Sequence, residues 1–402
     1  MQGLMVSWWR RARGAALVLV ATVLSIAACG GGGGVGEGGT GTFVSGPISG
    51  FGSVHVGGIR FDDRRLSAAQ SEDGGDVSLA QLQQGMVVAV EASAVSVDAA
   101  GVQRAVADRI VVAGSLLGPV TDVNWLLRRL RVLGLPVRFN AATVFDDALR
   151  EQVRQQLGLV GLVVEVWGYV DRSAGDVPEY VATHMRLAAG APFYKARGFV
   201  RQVDGDLVRL GDQTFDFSGV PGRPSTGDFV RLRVQPGAGS PAWTVTAWAA
   251  IERTSFGDGR RLEVEGTVTA VVDARNFAVD GVPVVAAQGV AGLALGSYVE
   301  VEGTWRAGAL RADSVEIESG DESQDREIEW EGVVSGLNVS LNRFTLTTAG
   351  GRQVTVAYNP TTTRFEPSGT SASDLSNGAA LEVKGLWNAQ IGELRATEIE
   401  FE

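Results

Sequence analysis

The residues able to do acid–base or metal chemistry are few and widely spaced. Two histidines, His55 and His184, fall in alternating strand segments far apart in the chain. Each is expected to be a solvated or interfacial strand residue rather than a base or a ligand. The single cysteine, Cys29, leaves no thiol for a zinc cluster if it is modified, and it cannot form an internal disulfide. Carboxylate pairs of the kind a glycosidase needs occur as Glu263 with Glu265 and Glu300 with Glu302. Both pairs flank a valine (Val264, Val301) in the alternation of a half-buried strand, whose outer face they should share. Asp62 with Asp63, and Asp146 with Asp147, lie beside turns or at a helix start, where capping accounts for them. No catalytic residue, metal or cofactor is expected.

Aromatic rings are the better lead. Trp305 and Trp387 each stand two residues beyond a glycine (Gly303, Gly385), in what reads as the connection between the last two strands of a repeat; Tyr169 follows Gly168 in an earlier copy. An exposed ring there would stack on a sugar, whereas a covered one would pack against a neighbouring module. Packing is the expectation. Arg128, Arg129 and Arg131 form a basic cluster suited to lipid phosphates or an acidic partner, with a solvated strand face as the expected reading.

The amino terminus carries the most specific signal. Arg10, Arg11 and Arg13 precede an apolar run from Ala15 to Ile26, which is too short to span a bilayer comfortably and ends in Ile26-Ala27-Ala28-Cys29. This resembles a bacterial lipobox, so 1–28 is expected to be a signal peptide and Cys29 the lipidated residue. Residues 29–42 then form a glycine-rich tether. Gly30 is not the aspartate associated with inner-membrane retention, so an outer-membrane anchor is expected. The part after Ala28 holds 32 Lys+Arg against 46 Asp+Glu, and a net charge of −14 disfavours nucleic acid.

A glycine followed by an alternating strand recurs at Gly85, Gly161, Gly227, Gly296 and Gly378, at steps of 76, 66, 69 and 82 residues. The implied modules are 43–114, 115–190, 191–260, 261–319 and 328–402, with an acidic connector at 320–327 that would let the last copy move relative to the fourth. Each reads strand, strand, strand, short helical turn, strand, strand. In module 4 the turn is Val290 to Leu295, stopped by Gly296; in module 2 a helix capped by Asp146 carries Leu149, Val153 and Leu157 and ends at Gly158. That order predicts an all-β chain of five-stranded barrels like the oligonucleotide/oligosaccharide-binding (OB) fold.

The segment Ser45-Gly-Pro-Ile-Ser-Gly-Phe-Gly-Ser-Val54, the Gly-x-x-Val-x-Val strands and the closing Ala312-Asp-Ser-Val-Glu-Ile317 and Ala396-Thr-Glu-Ile399 resemble the bacterial envelope family of domain of unknown function 5666. The resemblance runs over nearly all of the chain after the tether, although His55-Val-Gly57 departs from the expected Val-Asn-Gly turn. It implies tandem β modules on lipoproteins and carries no activity with it. The combined expectation is a lipid-anchored, non-enzymatic envelope scaffold or protein-binding surface. The alternatives are an oligosaccharide binder using exposed tryptophans and, behind it, a glycan hydrolase. Partners would be the membrane, through the lipid, and an envelope protein or glycan.

Overall fold

The computed structural model describes residues 42–97, 102–140, 143–171, 179–236, 242–250, 256, 258–279, 282–294, 297–318, 327–388 and 391–402. Cys29, the tether up to residue 41, Gly296 and most of the acidic connector lie outside them. Among the described residues, no helix is long and apolar enough to cross a membrane.

Module 4 shows the plan in its simplest form. Strands Arg261–Val271, Asn276–Val279, Val282–Ala286, Tyr298–Arg306 and Ala309–Glu318 close into a barrel in the order 1-2-3-5-4. Strand 3 runs parallel to strand 5, with Val284 opposite Leu310. This is the OB arrangement anticipated from the sequence. Val264 and Val301 face each other inside the barrel, fully buried, as the alternation requires. The first hairpin turns on Asp273, whose carboxylate accepts from the backbone N–H groups of Arg275 and Asn276 at 2.8 and 2.9 Å.

Modules 2, 3 and 5 repeat the closure. Their first strands are Leu116–Asn124, Tyr194–Asp204 and Glu327–Asn338, and their parallel pairs join Val137 with Tyr180, Phe215 with Trp243, and Thr355 with Glu393. In module 1 the equivalent parallel pair is Arg60 with Arg104. The short helical turn is an α-helix, Asp147–Arg154, in module 2 and a single 3-10 turn in modules 1 and 5 (Leu79–Gln81 and Ala372–Asp374). In module 4 the expected helical turn is only a bend and turn, because Gly292 at φ +80° takes the chain out of helical geometry. Asp146 does cap the module 2 helix, accepting from Leu149 N–H at 2.8 Å. The helix stops earlier than expected, where Gln156 adopts φ +52°, so that Leu157 is exposed rather than on the buried face.

Two glycine positions recur for different reasons. Gly85, Gly161, Gly227 and Gly378, the equivalents of Gly296, all have positive φ (+79°, +91°, +95° and +91°) and turn the chain into strand 4. Gly168, Gly303 and Gly385 sit within strand 4 at a bulge, where a Cβ would fall 1.9–2.2 Å from a carbonyl oxygen of strand 5. Only glycine allows that approach, which bends the strand sharply enough to close so small a barrel.

The modules do not behave as beads. One hydrophobic core is common to modules 1 and 5 and takes in Trp167 of module 2, a second is common to modules 2 and 3, and the third belongs to module 4 with Phe43 of module 1 and Phe256 from the end of module 3 added. The last copy, which the connector was expected to free, is therefore held by a shared core on its module 1 side. Module 1's first interstrand connection puts Phe51 edge-on to Trp330 at 5.3 Å, and Phe51 exchanges backbone hydrogen bonds with Glu329 and Glu331. Below them Arg60, 4% exposed, grips Glu382 through two 2.8 Å bonds and pairs with Glu329.

Candidate functional site

The aromatic residues meet different fates. Trp305 lies within strand 4 rather than in the connection after it, because Gly303 is a bulge and not the strand's end. Its ring is 2% exposed and edge-on to Phe256 at 5.1 Å, which in turn packs on Phe43 at 4.5 Å. That stack joins modules 1 and 4 and leaves no ring face for a sugar. Trp387, also in strand 4, is half-buried against the core of modules 1 and 5, and Tyr169 is buried in module 2. The three rings lie in three modules and do not line one groove.

Both histidines are buried at junctions, so the interfacial reading holds and the solvated one does not. His184, in strand 5 of module 2, has Nδ1 2.8 Å from the Gln84 carbonyl of module 1, and lies edge-on to Trp167. A carbonyl only accepts, so Nδ1 carries the proton. Burial lowers the pKa of His184 to about 4, and burial together with the nearby Arg60 lowers that of His55 to about 3. Both rings are neutral near pH 7, and neither has a free path to solvent.

A polar cluster shared by three modules was not visible in the sequence. Lys195 Nζ, from module 3, lies 3.0 Å from Asp73 of module 1, 2.9 Å from Ser115 Oγ and 2.9 Å from Glu165 of module 2. Ser115 donates to Glu165 at 2.7 Å, and Arg186 also binds Glu165. Alongside, Arg197 pairs with Glu72 and donates to the Gly114 carbonyl. A serine beside a lysine suggests a nucleophile and its base, but the electrostatics oppose it. Burial works against the Lys195 ammonium, yet Asp73 and Glu165 outweigh it and raise the pKa. A permanently charged lysine cannot take the Ser115 proton, and Ser115 is itself buried. The cluster is a junction of three modules whose members lie as far apart in sequence as residues 72 and 197.

The carboxylates of module 4 are closer together than strand alternation alone suggested. Strand 1 pairs with strand 4 so that Glu263 is opposite Glu302, and ligand oxygens of Glu263, Glu300 and Glu302 all lie within 4.8 Å of one another. The Glu265 side chain lies outside the described residues. This outer-face trio is the group that could hold a cation, but it is too crowded to place a sugar between two carboxylates in the manner of a glycosidase. Burial, and then Glu300 and Glu302, push the pKa of Glu263 up to about 7. The stability consequence has a definite sign. The unfolded carboxyl ionises near 4.5 and the folded one near 7, so stability is lost as pH rises through that window. Glu263→Gln, which mimics the protonated form, should match the wild type at pH 4. At pH 8 it should exceed it by about 1–2 kcal/mol after allowing for solvent screening, read from urea unfolding at the two pH values. An equal difference at both would refute the assignment.

The remaining acidic pairs are local. Asp62 is held by Arg64 at 2.6 Å, which with burial opposing lowers its pKa to about 2, and Asp146 caps the helix. Of the arginine cluster, Arg129 pairs with Glu179 at 2.7 Å and Arg131 with Asp212 at 2.9 Å. They line a shallow open depression of about 280 Å³ on module 2, together with Asp122 and Leu127. Its walls mix the two ion pairs with Leu127, Leu130 and Pro136.

Segments 118–186, 265–316 and 331–400 match the family model described as Domain of unknown function (DUF5666). They cover most of modules 2, 4 and 5, a narrower match than the likeness along the whole chain. No curated protein matches the chain.

Proposed function

We propose, for a chain whose modules 2, 4 and 5 belong to the Domain of unknown function (DUF5666) family, a lipid-anchored and non-enzymatic envelope protein that presents an extended surface to a protein partner. The observation carrying this reading is the use made of the chemically capable residues. Trp305, His55, His184, Lys195 and Ser115 are all buried or half-buried at contacts between modules, where they build a common body rather than converge on a solvent-facing pocket. The anchor is argued from the order of basic, apolar and small residues ending at Cys29. Two or three acyl chains on that sulfur give essentially permanent attachment, since each buried methylene adds about 0.8 kcal/mol.

Mass spectrometry of the mature amino terminus should find a lipidated Cys29 with 1–28 removed; an unmodified thiol or a cut elsewhere refutes the anchor. Cross-linking in intact envelopes should join the chain to a defined protein, and a glycan array should retain neither the wild type nor Trp387→Ala. Specific retention of one polysaccharide, lost in Trp387→Ala, would replace the scaffold by the oligosaccharide-binding reading.

A further inference from the structure

The turn Trp125–Arg128 joins the first two strands of module 2 and presents two adjacent leucines to solvent, Leu126 at 92% and Leu127 at 54% exposure. The turn is built, not frayed. Leu127 N–H donates to Asn124 Oδ1 at 3.0 Å, Arg128 N–H to the Trp125 carbonyl at 3.3 Å, and Phe139 N–H to the Arg128 carbonyl at 3.0 Å. The Trp125 ring, half-buried, packs edge-on to Phe139. Arg128, at φ +51°, is exposed and forms no ion pair among the described residues.

Module 1 shows what this position does when it is occupied. There the same connection carries Phe51, buried against Trp330 of module 5. The turn of module 2 is at least as apolar and covers nothing in this chain. Elsewhere the position is more polar: Asp204, Gly205 and Asp206 in module 3, Val272 beside Asp273 in module 4, and Val339 and Leu341 between Asn338 and Asn342 in module 5.

We infer that the Trp125–Arg129 turn of module 2 inserts into a bilayer surface containing anionic lipid, as a second membrane contact besides the amino-terminal lipid. Three observations select lipid over a protein pocket. The turn is a hairpin tip on which Leu126 is almost fully exposed, with Leu127 beside it at the rim of the module 2 depression. It joins two exposed leucines to Arg128, which has no ion pair among the described residues, while Arg129 beside it is already held by Glu179, in a chain that is otherwise strongly acidic; leucines next to an unpaired arginine suit acyl chains below and a phosphate above. Twelve residues lie between Cys29 and Thr42, where the described structure begins, and the thirteen steps along the chain reach at most about 45 Å, which keeps the modules within touching distance of the membrane. The last argument rests on the lipid-anchor reading; the first two do not.

The test uses the full lipidated chain in vesicles of phosphatidylethanolamine with and without phosphatidylglycerol. With Cys29 acylated, Leu126→Cys supplies the one free thiol for a solvatochromic label. The label should shift to the blue and be quenched by brominated acyl chains, more strongly with phosphatidylglycerol. The same label at Val272→Cys, 83% exposed in module 4, should show neither effect. Adding Leu127→Ser and Arg128→Ser to the labelled chain should abolish the quenching while leaving urea unfolding unchanged. Vesicle-bound protein whose label at 126 stays unquenched overturns the inference, as does a label shielded only by a cross-linked protein. If Cys29 proves unmodified, the labelled chain is added to preformed vesicles after that thiol is blocked by Cys29→Ser. Quenching at 126 alone then upholds the turn although the anchor has failed.

Discussion

Trp305→Ala should cost about 3–5 kcal/mol in urea unfolding, the range for deleting a large ring from a packed core. The ring is the module 4 end of a three-ring stack that runs through Phe256 to Phe43, so truncation opens the barrel of module 4 and loosens its seat against module 1 together. Trp387→Ala should cost less, about 1–2 kcal/mol, because its ring is only half-buried against the core of modules 1 and 5. The difference decides between packing and a sugar platform. If Trp305→Ala changed stability by no more than about 0.5 kcal/mol, as exposed positions do, its buried stack could not be the native arrangement.

Arg60→Met should be comparably severe, about 3–5 kcal/mol, for an electrostatic reason. The guanidinium is buried and is the counter-charge for both Glu329 and Glu382, which are themselves mostly covered. Removing it leaves Glu329 without its counter-charge and Glu382 with Lys384 alone, 3.3 Å away, whereas removing the charges together strands neither. The triple variant Arg60→Met, Glu329→Gln, Glu382→Gln should therefore recover most of the loss. Urea unfolding followed by tryptophan emission, to which Trp330 at that junction contributes, reads both variants. A triple variant no more stable than Arg60→Met would show that the junction depends on packing there and not on charge compensation.

The internal plan of a module was legible because it is written in local signals. Glycine before strand 4, alternating valines and Asp-type turns each act within a few residues, and five imperfect copies average out the noise. The arrangement between modules was not. Arg60, Glu329 and Glu382 read as ordinary polar positions on strands, since nothing local marks a surface residue as the partner of another 322 positions away. Lys195 with Asp73 and Glu165, and His184 with Gln84, were hidden in the same way. Trp305 illustrates a finer failure. Gly303 looked like punctuation at a strand's end, and its close approach to the Arg311 carbonyl, which makes it a mid-strand bulge, exists only in the closed barrel. The Glu263 trio was half-visible: alternation placed Glu263 on the outer face, but the register that sets it opposite Glu302 belongs to the pairing of two strands.

The core common to modules 1 and 5 also sets an order of events during biogenesis. A chain synthesised amino terminus first presents Phe51 and Arg60 long before Trp330 and Glu382 are made. Module 1 must wait with an apolar edge uncovered while some 270 residues follow it, and contacts of such sequence separation are slow to form. Holding chaperones would be needed most during that interval. A chain truncated after module 4 would leave its first domain, rather than its last, incomplete.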